Sequence, residues 1–146
     1  GMSENQSAHR EAFWLLCGDR IDYGMSRTVH ACKFNREWVV KVETEASQFQ
    51  NVMEWETWHR VKGTALAKWF APCHYISDCG IILIQSRTRQ PQDREYPGRM
   101  PVFFTDFKRT NYGLLGRRLV CHDYGTSLIT EHGLSHRLRK VEWWGQ

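Results

Sequence analysis

Two short runs of strand-forming residues dominate the pattern in the first third of the chain. Residue types that favour strands are concentrated at 27–34 (RTVHACKF) and 37–42 (EWVVKV). Asn35 and Arg36 lie between these runs and suit the tight turn of a hairpin. The polar segment 2–11 shows no such pattern and is expected to be frayed. The chain is therefore predicted to begin its ordered part with antiparallel strands.

A helix is predicted over residues 44–61, because this segment contains neither glycine nor proline. Thr44 is suited to cap its first turn, and Gly63 is suited to end it. One stripe of this helix mixes apolar and polar side chains, namely Asn51, Glu54, Trp55, Trp58 and Val61. We expect this stripe to face the strands.

Two more strands are predicted at 73–77 and 81–85, joined by an Asp-Cys-Gly turn. The polar segment 86–99 contains two prolines and is interpreted as a linker between two subregions. Strands that pair through short turns, together with one helix, predict an α+β fold with an antiparallel sheet.

The part after the linker opens with an apolar run at 101–104. A second hairpin is predicted from 112–115 and 119–122, which flank a Gly-Arg turn. The remainder, residues 128–144, is predicted to be helical, with a break at Gly133.

Composition places the chain among globular proteins of one domain. Of its 146 residues, 41% are hydrophobic and 25% are charged. Gly1 before Met2 has the form of a tag remnant, so the domain is taken as residues 2–146. No run of about 18 apolar residues occurs, and no membrane span is expected. The five cysteines are odd in number and follow no signal peptide, which favours free thiols in the cytoplasm.

The residues that could carry chemistry gather between Asp106 and Gly125. Asp106, Lys108 and Asn111 form a D-x-K-x-x-N pattern. Asp123 follows Asn111 by 12 residues and begins an Asp-Tyr-Gly turn. The predicted hairpin between the two motifs would return Asp123 to the neighbourhood of Asn111. Either motif alone is common by chance, but the pair at this spacing is not.

A lysine inside an apolar strand is the second signal. Burying the Lys41 ammonium is costly without a partner, whereas a lysine on an edge strand would extend to solvent. The predicted helix offers Glu54 and Glu56 as partners. Glu54 lies on the stripe and is preferred, and the alternative is that both glutamates are solvated.

These residues resemble the catalytic loop and the metal-binding Asp-Phe-Gly turn of the protein kinases, with Tyr124 in place of phenylalanine. The resemblance implies a phosphotransferase that binds ATP and Mg²⁺. Asp106 would then orient or deprotonate the acceptor hydroxyl, assisted by Lys108. Asn111 and Asp123 would supply oxygen ligands to Mg²⁺.

The resemblance extends back to about Gly24 and implies a nucleotide site. Lys41 would hold the α and β phosphates, paired with Glu54. Gly24 and Ser26 would belong to a loop that cradles phosphate oxygens, and Val29 would cover the base.

The resemblance also implies two lobes, at about 12–88 and 89–146. Ile84 and Gln85 fall where the kinase hinge joins the lobes and reads the adenine edge. The chain looks most like the compact kinase-like proteins of phages and bacteria.

Three departures from the kinase pattern bear on the acceptor. Phe104 and Thr105 stand where kinases have His-Arg, and the short stretch between Gln85 and Asp106 cannot hold long helices. The 21 residues after Gly125 leave no room for an activation segment or a peptide-docking lobe. The acceptor therefore stays open between a small molecule, a protein and the chain itself.

Three alternatives remain beside the enzyme. The fold could act as a nucleotide- or protein-binding module with little turnover. A zinc site could draw on Cys73, His74, Cys79, Cys121 and His122, although paired C-x-x-C spacing is missing. A net charge of +4 is too mild to favour nucleic acid, and acidic residues interrupt the arginines of 87–99.

Trp143 and Trp144 suggest either a contact surface, such as that of a homodimer, or packing onto the domain.

Overall fold

The described part of the chain contains two α-helices, three short 3₁₀ turns and nine strands. The computed structural model describes residues 4–23, 27–43, 49–125 and 135–146. Its helices are α1 (Glu4–Leu16) and α2 (Gln50–Val61), with short 3₁₀ turns at Ala65–Trp69, Asp93–Glu95 and Arg109–Asn111. Its strands are β1 (Cys17–Tyr23), β2 (Arg27–Cys32), β3 (Trp38–Glu43), β4 (Cys73–Ile76), β5 (Ile82–Ser86), β6 (Arg99–Pro101), β7 (Tyr112–Leu115), β8 (Arg118–Cys121) and β9 (Leu138–Lys140).

Five strands form one antiparallel sheet in the order β1-β2-β3-β5-β4. Val29 of β2 lies opposite Lys41 of β3, and Lys41 lies opposite Leu83 of β5. β6 pairs with β9, and β7 pairs with β8, as two separate antiparallel ribbons. The predicted α+β class, the antiparallel sheet and both hairpins are confirmed.

The two faces of the sheet bury different clusters, because side chains alternate along each strand. On one face, Val40, Ile82 and Ile84 pack with Phe13 and Leu16 of α1. Fully burying one such aliphatic side chain stabilises the fold by about 1.5–3 kcal/mol. This packing closes one side of the sheet and leaves the opposite face to carry polar groups.

The opposite face packs on α2 and on the second half of the chain. An aromatic cluster fills this space, with Phe70 5.9 Å from Phe103 and Phe104 5.5 Å from Tyr112 between ring centroids. Leu83 of β5 belongs to the same cluster. Aromatic pairs add about 0.5–1.5 kcal/mol each beyond their burial. The cluster therefore joins the sheet to the segments that carry the Asp106 and Asp123 motifs.

The prediction that residues 2–11 are frayed is wrong from Glu4 onward. Helix α1 begins at Glu4 and continues to Leu16, where the chain passes directly into β1. Ala12, Phe13 and Leu16 share the face that packs on the sheet. Tertiary burial, which stabilises most protein helices more than local propensity does, supports this segment.

Helix α2 begins at Gln50, later than the predicted position 44. Phe49 has φ 53° and is not helical, while the predicted cap, Thr44, lies outside the described residues. The Glu43 carboxylate at the end of β3 accepts the backbone N–H groups of Gln50 at 2.8 Å and Asn51 at 3.0 Å. A distant side chain thus caps the helix and places negative charge at its N-terminus, where the helix dipole favours it.

The prediction of a helix over 128–144 is also wrong for residues 135–144, none of which is helical. Residues 138–140 form β9, which pairs with Arg99–Pro101, and residues 126–134, including Gly133, lie outside the described residues. The 86–99 segment is not a plain linker, since Ser86 ends β5 and Arg99 begins β6. Pairing across 37 or more positions decided both outcomes.

Two general expectations can be compared with the structure. All five cysteines lie in the described ranges, and the structure places none of them in a disulfide bond. Across the described ranges, no helix combines the length and the apolar character that crossing a bilayer requires.

Candidate functional site

The Asp106 loop is held in place by buried aromatic residues on both sides. Phe104 is 2% exposed and Phe107 is 6% exposed, whereas Asp106 between them is exposed. The Asp106 Oδ1 atom accepts the backbone N–H of Lys108 at 3.2 Å, and its Oδ2 atom accepts Asn111 Nδ2 at 3.2 Å. The carboxylate is therefore oriented by its own loop and faces solvent.

Asn111 and Asp123 lie at the same end of the β7–β8 hairpin. The Asn111 backbone oxygen accepts the N–H groups of His122 at 3.0 Å and Asp123 at 3.3 Å. Because the Asn111 amide nitrogen faces Asp106, its side-chain oxygen is turned away from that carboxylate. An amide oxygen and a 43%-exposed carboxylate are the hard donors that Mg²⁺ prefers, so these residues fit that ion.

Lys41 is buried on the polar face of the sheet and pairs with Glu54. Its Nζ atom lies 2.8 Å from Glu54 Oε1 and also donates to the backbone oxygen of His122. Glu54 is fully buried on α2, whereas Glu56 two positions later is exposed. The helix stripe thus presents Glu54, and not Glu56, to Lys41.

Glu54 joins the sheet to the Asp-Tyr-Gly turn. Its Oε2 atom accepts the backbone N–H groups of Tyr124 at 3.0 Å and Gly125 at 2.9 Å. Burial alone would raise the pKa of Glu54, but the charges of Arg27 and Lys41 outweigh it and lower the pKa to about 2. Glu54 is therefore ionised at neutral pH.

Tyr124 holds the same turn in place through a buried ring and a hydrogen bond. It is 1% exposed, packs edge-on against Phe70 at 5.2 Å between ring centroids, and donates its hydroxyl hydrogen to Ala71 O at 2.8 Å. A phenolic ring can bury its body and still satisfy its polar tip in this way. Tyr124 thus fixes the Asp-Tyr-Gly turn to the aromatic cluster.

Arg27 is a site residue that the sequence analysis missed. Its Nη2 atom lies 2.8 Å from Glu54 Oε2 and 3.0 Å from Asp123 Oδ1, and its Nη1 atom donates to Asn51 Oδ1 at 3.1 Å. Burial disfavours the charged guanidinium, but Glu54 and Asp123 hold the pKa of Arg27 above its ordinary value. Strand alternation could have found it, because Arg27 and Val29 share a face and Val29 pairs with Lys41.

His122 connects the hairpin to the segment that follows β5. Its Nδ1 atom lies 2.6 Å from Thr88 Oγ1, and its Nε2 atom lies 2.7 Å from Thr110 O. Since a carbonyl can only accept, Nε2 carries the hydrogen and Nδ1 accepts the Thr88 hydroxyl. Burial and the nearby Lys41 charge lower the pKa of His122, which favours this neutral form.

The remaining predicted nucleotide residues have different placements. Gly24 and Ser26 lie outside the described residues, while Val29 shares the sheet face of Lys41. Ile84 packs in the cluster against α1, on the face opposite Lys41. Gln85 is fully buried, with Nε2 3.4 Å from Glu54 Oε1.

Ile84 and Gln85, the residues predicted to form a hinge, lie within a strand. Strand β5 continues to Ser86 and lies between β3 and β4 in the sheet. The end of this strand depends on its pairing with β3, where Ser86 lies opposite Trp38. The connection to the second half of the chain begins at Arg87.

Two of the cavities among the described residues lie outside the charged network. One of about 630 Å³ lies beside the connection and is lined in part by Trp38, Thr88 and Leu114. The other, of about 360 Å³, lies near Tyr96 and Arg109. Neither is lined by the charged network of Arg27, Lys41, Glu54 and Asp123, whose members contact one another.

The described residues do not support the zinc alternative. Within the described ranges, no three His, Cys, Asp or Glu side chains are grouped so as to hold a metal ion. Burial raises the pKa of Cys73 to about 11 and raises that of Cys121 as well, so neither thiol is ionised at neutral pH.

No family model matches the chain, and no curated protein matches it. Nine chains of solved structures match, and one of them is the streptomycin–ATP–APH(2")-IIa ternary complex, with a TM-score of 0.45 and 16% identity. The match covers 63% of this chain and 30% of that chain, so this chain spans less than a third of that protein's length. A likeness at this level does not establish a family.

Proposed function

We propose that this chain is a small kinase-like domain that binds ATP with Mg²⁺ and transfers the terminal phosphoryl group to an acceptor. The observation that supports the proposal is the charged network, in which Glu54 contacts Lys41, Arg27 and the Tyr124–Gly125 backbone. Parts of the chain separated by up to 96 positions converge there. Buried ionisable groups with shifted pKa values, such as Glu54 and Arg27, are found most often at functional sites.

Each proposed role follows from the surroundings of the residue. Lys41 would bind phosphate oxygens by exchanging its bond to His122 O, while Glu54 holds its ammonium in place. Asn111 and Asp123 would hold Mg²⁺, which when bound would neutralise phosphate charge. Val29 lies on the face of the sheet that contains Lys41, where it could cover the base.

The transfer step would use the exposed carboxylate of Asp106. As the acceptor hydroxyl oxygen forms its bond to the terminal phosphorus, the bond from that phosphorus to the bridging oxygen breaks, and Asp106 takes the hydroxyl proton. Lys108 is two residues away, and its ammonium would offset charge on the transferred group. The open surface at Asp106 suits either a small-molecule or a protein acceptor.

A binding module without turnover is the second candidate. One observation favours it: in the described residues, the charged groups of the network satisfy one another and line neither cavity. In both candidates the free thiols suit a reducing cytoplasm, which is the compartment we propose.

Asp123→Asn tests the nucleotide and metal site. Because the carboxylate is proposed to hold the metal, ATP affinity in the presence of Mg²⁺ should fall at least about 10-fold, to the affinity measured without Mg²⁺. Isothermal titration calorimetry measures the affinity, and Asp78→Asn, an exposed turn aspartate, is the matched control. Unchanged affinity in Asp123→Asn, or no binding of ATP to the unmodified chain in either condition, would refute the proposal.

Asp106→Asn separates the enzyme from the binding module. An exposed carboxylate outside the charged network should not affect ATP affinity, whereas loss of a catalytic base lowers turnover by about 10²–10⁴-fold. ADP release measured beside ATP binding gives both quantities. Equal ADP release by the variant and the unmodified chain would favour the binding module.

A further inference from the structure

Arg27 occupies a position from which it could contact both the carboxylates and a triphosphate. It is the first residue of β2 and directly follows residues 24–26, the segment predicted to cradle phosphate. Its side chain is 6% exposed, yet its guanidinium reaches Asp123, whose side chain is 43% exposed. Asn51, which is fully buried, holds the other end of the guanidinium at 3.1 Å.

Arg27 and Lys41 are the cations of the charged network, and Glu54 and Asp123 are its anions. The buried carboxylate of Glu43, which lies opposite Arg27 on β3, adds a further negative charge near the guanidinium. Of these three carboxylates, that of Asp123 is the exposed one. A divalent cation on Asp123 would lie within a few ångströms of the guanidinium that now occupies its Oδ1 atom at 3.0 Å. Like charges at such a distance repel strongly in a buried setting. Arg27 and a metal ion therefore compete for the same carboxylate.

A triphosphate removes this conflict because it supplies new anionic oxygens. Guanidinium groups bind phosphate oxygens through paired N–H donors. Arg27 is anchored by Glu54 and Asn51, so its head group needs to exchange only the Asp123 contact. Asp123 would then be released to the metal at the moment that the nucleotide arrives.

We propose that Arg27 is a phosphate-binding residue that couples the metal to the nucleotide: it neutralises Asp123 in the empty site and transfers to phosphate when a nucleoside triphosphate binds. This inference rests on the proposed function and adds a residue and a binding order to it. A divalent cation alone should bind weakly, and the cation and nucleotide should bind cooperatively. A purely structural Arg27, which only fixes α2 to the sheet, would affect stability but not cation affinity.

The test measures Mn²⁺ binding without nucleotide by electron paramagnetic resonance, and ATP binding with a metal chelator by calorimetry. Arg27→Met should bind Mn²⁺ at least about 10-fold more tightly than the unmodified chain, and should bind metal-free ATP at least about 10-fold more weakly. Arg118→Met, an exposed strand arginine, is the matched control and should change neither affinity. Folded Arg27→Met with both affinities unchanged would overturn the inference.

Two further measurements apply if Arg27→Met does not fold. Arg27→Lys keeps a positive charge beside Glu54 but lacks the guanidinium group that contacts Glu54 and Asp123 together. Tighter Mn²⁺ binding and weaker binding of metal-free ATP are therefore expected for this variant too. In the unmodified chain, nuclear magnetic resonance of ¹⁵N-labelled arginine should show an Arg27 signal that shifts when Mg²⁺ and a non-hydrolysable ATP analogue are added. An unshifted signal despite saturation with the analogue would refute the exchange of partners.

The inference and the proposed function fail in different ways. If Asp123→Asn weakens Mg²⁺-dependent ATP binding while the Arg27 variants bind like the unmodified chain, only the role of Arg27 is wrong. If no variant and not even the unmodified chain binds ATP, the proposed function is wrong as well.

Discussion

Replacing Glu54 with glutamine tests whether one buried carboxylate joins the two halves of the molecule. The change keeps the size of the side chain and leaves an amide oxygen that can still accept the Tyr124 and Gly125 N–H groups. It removes the charge that faces Lys41 and Arg27, both at 2.8 Å. Within the network, Arg27 then keeps its salt bridge to Asp123, whereas Lys41 loses its carboxylate partner.

The magnitude follows from the pKa of Glu54. Its pKa falls from an ordinary value of 4.5 to about 2, and at 1.36 kcal/mol per unit this corresponds to about 3 kcal/mol. Removal of one partner from a buried ion pair costs about 3–5 kcal/mol, which agrees. We therefore expect Glu54→Gln to lower the free energy of unfolding by about 3 kcal/mol at neutral pH.

The same pKa gives the expected pH dependence. The pKa of Glu54 is lower in the folded chain than in the unfolded chain, so the unfolded chain binds more protons between pH 4.5 and about 2. The free energy of unfolding therefore decreases as the pH is lowered through that range. Glu54→Gln lacks this group. The stability difference between the two proteins should be full above pH 4.5 and should shrink as the pH approaches 2.

Urea denaturation followed by tryptophan fluorescence measures the free energy of unfolding at each pH. Glu56→Gln, on the exposed side of the same helix, is the control and should lie within about 0.5 kcal/mol of the unmodified chain. A loss below about 1 kcal/mol in Glu54→Gln at neutral pH, or a difference that does not vary with pH, would refute this reasoning.

Two further substitutions probe the parts around the network. Gly113→Ala should lower the free energy of unfolding by about 1–3 kcal/mol, because the new Cβ would overlap Thr88 Oγ1. Gly98→Ala is the control: its Cβ would meet no atom within 4 Å, so its free energy of unfolding in urea denaturation should be nearly unchanged. Trp144→Phe removes the indole N–H that Asp106 Oδ1 accepts at 3.2 Å, and should lower ADP release without changing ATP affinity. Equal destabilisation by both alanines, or unchanged ADP release in Trp144→Phe, would contradict these expectations.

Local patterns were sufficient for much of the strand structure. The hairpin turn at 35–36 and the turn-forming residues at 116–117 predicted antiparallel pairs that the structure contains, because turn chemistry and alternation act over a few residues. The stripe of α2 likewise predicted that Glu54 would be buried. Trp143, left open beforehand, packs on the domain and donates to Pro97 O at 2.7 Å.

Elements that depend on distant partners were misread. Helix α1 is supported by packing on the sheet, and β9 exists because β6 offers it hydrogen bonds. The start of α2 is set by Glu43 and not by a local cap. In each case the stabilising contact comes from another element, and single-segment propensity is too weak to reveal it.

Residue identity and spacing were enough to select Lys41, Asp106, Asn111 and Asp123 as chemically notable, since each is a polar group in a pattern that chance seldom produces. Tertiary packing decided that Arg27 contacts Asp123 and that Glu54 accepts from both halves of the chain. It also decided that Ile84 packs against α1, on the opposite face of the sheet. The reason is that a charge is stabilised by whatever surrounds it in three dimensions, and the groups around Glu54 come from positions 27, 41, 124 and 125.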